Sequence, residues 1–217
     1  TIVPPQAYLG VCGMPGVTAW IGLMEICNPK PGETVLVSAA SGAVGSVVGQ
    51  LAKLSGCRII GIAGGPEKCK YVKEKLNFDE CIDYKKNNVF QDLKRACPDG
   101  VDCSFENVAG EIMDETLRVL NPFSRIALCG FMSSYNTTEP YSLKNLRSIL
   151  VNRVKLQGFI VFDRSDLYLK AEKKLISWVS AGKIKYDETI QVGLENAPEA
   201  FIGLLKGKNL GKQLVKI

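Results

Sequence analysis

The sequence predicts a doubly wound α/β domain, a mostly parallel sheet of about six strands with helices on both faces. Three observations carry this reading. Short apolar runs alternate with amphipathic stretches of helical period, a glycine-bearing turn joins the first run to the helix after it, and the alternation stops after Val161. Alternation at this spacing requires crossover connections, and crossovers put parallel strands into one sheet covered on either side.

The elements follow in order. A helical stretch around residues 18–27 is stopped by Pro29, Pro31 and Gly32, and Thr34 opens a short apolar run of the kind buried in a parallel sheet. Helical stretches at 44–54, 67–76, 89–97 and 113–120 separate apolar runs at 58–62, 80–83, 102–106 and 125–129. A further helix at 143–151 precedes a strand at 155–161. A long amphipathic helix then spans 167–181, ended by Gly182. Beyond it come a strand at 188–192, a helix starting near Asn196 with Pro198 in its first turn, and a terminal run at 213–217. That last piece, about 35 residues, is too small for a core of its own, so it is expected to belong to something else.

The chain has 217 residues, 46% hydrophobic and 23% charged, the proportions of an ordinary globular protein. A membrane span needs about 20 consecutive apolar residues. The longest runs, such as 159–162, are far shorter, and no membrane role is expected. The net charge is +5, but the lysines are dispersed and acids interrupt the densest groups at 68–75 and 170–174. This describes a solvated surface rather than a nucleic-acid patch, and leaves room for a small anionic ligand. The eight cysteines never fall in a C-x-x-C spacing and sit in apolar settings, as reduced core thiols of a cytoplasmic protein do. There is no histidine, which removes the commonest general base, the Ser-His-Asp triad and the usual catalytic-zinc ligands; no metal is expected. Acid-base chemistry falls to tyrosine, lysine or a carboxylate. Residues 1–9 have neither the basic nor the apolar region of a signal peptide.

The strongest local signal is the turn running from Ser38 through Gly42, Ala43, Val44 and Gly45 to Gly49, directly after the first strand. Such a turn brings backbone amides and a helix N-terminus against a pyrophosphate, so residues without bulk are needed there. Ala40 replaces the first glycine of the usual pattern, and the surrounding strand-helix-strand unit supplies the missing specificity. The second strand ends without the acid that reads a free ribose, and Lys68 follows one turn later, which favours a 2′-phosphate. Tyr84, after the third strand, is placed to meet the same group or an adenine edge. Asn107 after the fourth strand and the 129–135 loop after the fifth reach the same carboxyl edge of the sheet.

At this point Ala39–Ser46 with Gly49-Gln-Leu-Ala, Glu67-Lys68, Asp83-Tyr84-Lys85, Phe105-Glu-Asn107-Val, Cys129-Gly130, Ser133-Ser-Tyr135-Asn136, Phe159-Ile-Val161 and Lys208-Asn209-Leu-Gly-Lys212 can be read together. In order and spacing they resemble the zinc-independent medium-chain dehydrogenase/reductases, within them the group of prostaglandin reductases and leukotriene B4 12-hydroxydehydrogenase. The resemblance covers essentially the whole chain. It implies a Rossmann-type domain at 13–182, a C-terminal remnant of a GroES-like catalytic domain at 183–217, and a seam at 1–12 with an N-terminal catalytic domain that has no counterpart here. It implies NADPH as cofactor and reduction of the carbon-carbon double bond of α,β-unsaturated ketones such as 15-keto-prostaglandins.

By the same likeness Gly42, Ala43, Val44 and Gly45 hold the pyrophosphate, Lys68 and Tyr84 contact the 2′-phosphate side, and Asn107 touches the cofactor. Cys129, Gly130, Phe131, Met132, Ser133, Ser134 and Tyr135, the strand Phe159, Ile160 and Val161, and Asn209 line the nicotinamide half. Tyr135 matches the tyrosine that hydrogen-bonds near the reacting carbonyl. Glu106 and Ala109 depart from the family's usual aspartate and glycine. A quinone oxidoreductase of the same superfamily and a non-catalytic NADPH-binding module are the rival readings. The partner is a small-molecule enone, with no nucleic acid. The chain is expected as a monomer, or as a homodimer paired through an edge strand at 159–162.

Overall fold

The computed structural model describes residues 2–86, 88–139 and 141–217. Its strands β1 (Thr34–Val37), β2 (Arg58–Ala63), β3 (Glu80–Asp83), β4 (Val101–Glu106), β5 (Leu120–Leu128) and β6 (Lys155–Gly158) form one sheet in the order β3-β2-β1-β4-β5-β6. Every neighbouring pair is parallel. The chain starts in the middle, winds outward to β3 and returns past β1 to β4, so the strand order reverses between β1 and β4. In open sheets the crevice at the carboxyl ends beside such a reversal is where ligands bind.

Period-two alternation explains why both faces are apolar. In β1, Val35 and Val37 join the core under helices α1 (Met14–Ile21), α2 (Gly45–Leu54) and α7 (Ser165–Ser180), while Leu36 joins the opposite core. That second core holds Ile60, Ile62 and Ile126 with Leu93 from α4 (Val89–Ala96) and Leu117 beyond α5 (Gly110–Thr116). Fully burying each such side chain is worth about 1.5–3 kcal/mol, which is what fixes the strand register. Helix α3 (Pro66–Glu74) covers β2 and β3, and its neighbour α2 carries Gly49, against which the Phe78 ring lies so closely that a Cβ would fall 1.9 Å from it.

The expected helix at 18–27 begins earlier, at Met14, because Pro15 occupies a first-turn position where its missing N–H is not needed. Past Ile21 its turns widen into a π-helix over Gly22–Cys27 that ends at Asn28 in the left-handed region, φ 42°. Arg125 of β5 satisfies the exposed carbonyls there, donating to Cys27 O at 2.9 Å and Asn28 O at 3.3 Å while pairing with both oxygens of Glu33. The helix expected at 113–120 starts at Gly110 and gives way after Thr116 to a 3-10 turn, so that Leu120 already pairs with Val101. Of the helix expected at 143–151 only α6 (Arg147–Val151) forms.

One expectation is corrected. The strand read through residues 159–161 ends at Gly158, and Phe159 and Ile160 lie outside any strand while Val161 opens a 3-10 turn. Phe159 leaves the sheet to pack edge-on against Phe105, ring centroids 6.2 Å apart. Burial of an aromatic ring outweighs one more pair of ladder bonds at a sheet edge.

After α7, Gly182 turns the chain at φ 67°. The remaining β7 (Glu188–Val192) and β8 (Lys212–Lys216) pair in parallel as a separate two-stranded sheet, connected through α8 (Ala197–Leu205). The Gln50 side chain ties this unit to α2, donating to Lys185 O and accepting from Lys185 N, both at 2.8 Å. The Gly211 amide donates to Ser41 O at 2.9 Å, which brings the C-terminal segment directly onto the glycine-bearing turn. Val192, Leu194 and Phe201 remain exposed on this unit. The eight cysteines carry free thiols, six of them buried, and burial pushes Cys12, Cys57 and Cys97 up to about 11. Among the described residues no helix is long and apolar enough to cross a membrane.

Candidate functional site

A cleft of about 600 Å³ opens at the carboxyl ends of β1 to β5. Its floor is the turn after β1, where Ala39 is left-handed at φ 49° and Gly42 N donates back to Ala39 O at 2.9 Å. Gly45 is required by this turn itself, because a Cβ there would fall 2.4 Å from Ala39 O. Among the described residues the amides of Ala43 and Val44 find no backbone acceptor, and both residues line the cleft at the start of α2. Unpaired amides and a helix N-terminus together suit an anion.

The second wall carries positive charge. Lys68, on the first turn of α3, and Lys85, just past β3, both line the cleft, and burial together with the nearby Lys85 lowers Lys68 from its ordinary value. The Lys68 ammonium donates to Gly207 O at 2.6 Å, clipping α3 to the C-terminal segment. Tyr84 packs over Gly64, where a Cβ would lie 2.8 Å from its ring. Asp83 sets this corner, accepting from Gly65 N at 2.7 Å and Lys85 N at 3.1 Å.

The third wall is the loop after β4, with Asn107, Val108 and Ala109. The Asn107 amide side chain turns inward to donate to Ser38 O at 2.8 Å, so its backbone and outer edge face the cleft rather than its full donor set. Ser133 N and Oγ donate to Val108 O at 2.9 and 2.7 Å, and Met132 N donates to Asn107 O at 3.2 Å, which zips the post-β5 loop onto this one. Asn209 is buried beside the glycine turn and also lines the cleft, its Nδ2 held by Gly211 O at 2.8 Å.

Thus Gly42, Ala43, Val44, Gly45, Lys68, Tyr84, Asn107, Met132, Ser133 and Asn209 meet in one cleft. Cys129, Gly130, Phe131, Ser134 and Tyr135 stand outside its lining, in the same loop as Met132 and Ser133; Phe159, Ile160 and Val161 also stand outside it, with Phe159 packed on Phe105 and Val161 buried in the core. Tyr135 is 62% exposed, with its hydroxyl beside Gly130, where a Cβ would come within 3.4 Å of it. Cys129 is pushed up to about 11 by burial and by Glu106. Sequence reasoning missed Lys85 and the stretch 204–207, which closes the cleft from the C-terminal unit. Lys85 stood beside Tyr84 in a motif already singled out; nothing local marks 204–207, whose place depends on tertiary packing. Among the described residues no group of three or more His, Cys, Asp or Glu side chains is arranged to hold a metal ion.

An open parallel sheet with this turn, this switch point and this cleft defines a doubly wound domain of the medium-chain dehydrogenase/reductase fold. The chain belongs to the family described as zinc-binding dehydrogenase, which matches residues 43–179. It is similar to the NADP(+)-dependent 2-alkenal reductase of Nicotiana tabacum, 46% identical over 99% of this chain and 63% of that protein. It is similar also to prostaglandin reductase 1 of Bos taurus, 49% identical over 99% of this chain and 66% of that protein. The crystal structure of CurA from Vibrio vulnificus in complex with NADPH superimposes with a TM-score of 0.93 at 49% identity, covering 98% of this chain and 65% of that one. The chain therefore spans somewhat less than two thirds of the tobacco enzyme and of CurA.

Proposed function

We propose that this chain is the cofactor-binding part of an NADPH-dependent reductase that saturates the carbon-carbon double bond of α,β-unsaturated carbonyl compounds, 15-keto-prostaglandins among them. The observation that carries the reading is the pairing, in one cleft, of open amides at a helix N-terminus with two lysines and a tyrosine at the tips of β2 and β3, β2 itself ending without an acid. The names of the similar reductases, and the crystallisation of CurA as a complex with NADPH, point the same way.

In this reading the Gly42 to Gly45 turn neutralises a pyrophosphate with the Ala43 and Val44 amides. Lys68, Lys85 and Tyr84 hold the 2′-phosphate, and Asn107 and Asn209 fix the middle of the cofactor. The loop from Cys129 to Tyr135 and the segment from Phe159 to Val161 are assigned to the nicotinamide half. Bound there, NADPH would supply hydride to the β-carbon of the substrate. Tyr135 presents an exposed hydroxyl that donates to the substrate's carbonyl oxygen as negative charge develops on it. No histidine is needed for this. Residues 1–12 and 183–217 are the joints to a catalytic domain, a role supported by the exposed apolar face of the β7, α8 and β8 unit.

The test is NADPH consumption by the whole enzyme of which this chain is the cofactor-binding part, followed by absorbance, with a 2-alkenal, a 15-keto-prostaglandin and a simple quinone. Reduction of the alkenal or the enone supports the reading; turnover of the quinone alone rejects it in favour of a quinone oxidoreductase.

A further inference from the structure

Glu106 closes β4 and is 1% exposed. One carboxylate oxygen accepts three hydrogen bonds, from Ser38 Oγ at 2.6 Å, Val108 N at 2.6 Å and Ala109 N at 2.9 Å. Ser38 Oγ in turn accepts from Asn107 N at 2.8 Å. The backbone carbonyl of the same residue accepts from Cys129 N at 2.8 Å and Gly130 N at 3.2 Å. One buried residue therefore joins the three loops that follow β1, β4 and β5.

The loop it grips is strained. Ala109 has φ 60° and ψ −149°, a region that side chains other than glycine's essentially never occupy, and it is buried in the wall of the cleft. Such a conformation persists only where the surroundings over-determine it, and the force at hand is the hydrogen bond from the Ala109 amide to Glu106. Burial pushes the Glu106 carboxyl above its ordinary value, the Ser38, Ala109 and Val108 donors oppose that push, and their convergence on one oxygen aims the group at the loop.

We propose that Glu106 is a positioning residue for the cofactor cleft: its side-chain oxygen holds Ala109 in a glycine-like conformation and so sets the wall formed by Asn107, Val108 and Ala109. The assignment rests on the cofactor reading above. Glu106 touches no substrate or cofactor itself; it acts through the loop.

The alternative is a residue that matters to stability alone, and the test separates the two. NADPH dissociation constants, from nicotinamide fluorescence, and thermal midpoints are measured for wild type, Glu106→Gln, Ala109→Gly and the double variant. Glu106→Gln is expected to weaken NADPH binding at least tenfold. In the Ala109→Gly background the same change is expected to cost at least threefold less, because glycine adopts the conformation without being held. A lowered midpoint with unchanged affinity, or equal losses in both backgrounds, would overturn the assignment. If Glu106→Gln does not fold, Glu106→Asp keeps the carboxyl group on an arm shorter by one methylene, and the same dependence on residue 109 is expected of it. Wild type that fails to bind NADPH would remove the cofactor reading itself, an outcome distinct from binding without coupling.

Discussion

Removing the Lys68 ammonium is the sharpest perturbation of the charged wall. A hydrogen bond between a lysine and a phosphate is worth about 1.5–3 kcal/mol. Two features of the structure reduce that figure. Lys68 already donates to Gly207 O at 2.6 Å, a bond worth about 0.5–1.5 kcal/mol that a phosphate must share or displace. Lys85 lines the same cleft and retains part of the attraction when Lys68 is gone. A net loss of about 1–2 kcal/mol remains, roughly five- to thirtyfold in affinity. Calorimetric titration of Lys68→Ala should therefore show NADPH weakened by that factor and NADH unchanged, with the difference shrinking at high salt. Because burial and Lys85 lower the Lys68 value, the preference for NADPH should also fade, as pH rises and the ammonium loses its proton, at a lower pH than an ordinary lysine would give. Equal losses for both cofactors would mean that Lys68 acts on the fold of the C-terminal segment and not on a phosphate.

Other outcomes follow from single contacts. Gly45→Ala would drive a Cβ to 2.4 Å from Ala39 O, and forced overpacking of this kind costs about 1–3 kcal/mol, so the variant should unfold at lower temperature and bind cofactor poorly; an unshifted melting curve would refute the packing argument. Asp79 is raised by burial but brought below its ordinary value by the Lys53 ammonium at 2.6 Å and the Ile59 amide at 2.7 Å. A carboxyl lowered in the folded state contributes stability that is present above its unfolded value, about 3.9, and is lost as pH falls through the folded value. Asp79→Asn should thus lower stability at neutral pH and flatten the loss of stability below about pH 4; denaturant titrations across pH decide it. Made in the whole enzyme, Tyr135→Phe should leave NADPH affinity intact and reduce enone turnover by about 10²–10³ if its hydroxyl serves the developing oxyanion, and steady-state rates matching wild type would make Tyr135 a loop residue.

Much of the fold was legible because both sheet faces are buried. Val35, Leu36 and Val37 can be apolar in succession only where helices cover the two sides, and the alternation of strands and helices then fixes a parallel sheet. The cleft's own loops were legible for a similar reason, since each follows a strand end that the pattern had located. What escaped depends on contacts distant in sequence. The end of β6 at Gly158 is decided by Phe105, far earlier in the chain, accepting the Phe159 ring. The start of α5 at Gly110 follows from the unusual backbone of Ala109, which no propensity describes. The closure of the cleft by residues 204–207 follows from the Lys68 to Gly207 bond and the seating of Gly211 on Ser41. The sequence named Glu106 and Ala109 as departures from a family pattern, and only the hydrogen bonds reveal that the two are one feature.

The most direct test of the account is a crystal structure of this chain grown with NADPH. It should place the pyrophosphate on the Ala43 and Val44 amides, the 2′-phosphate against Lys68, Lys85 and Tyr84, and the adenosine beneath residues 204–207. Cofactor density elsewhere, or a cleft left without it at saturating NADPH, would contradict the central claim that this cleft is the dinucleotide site.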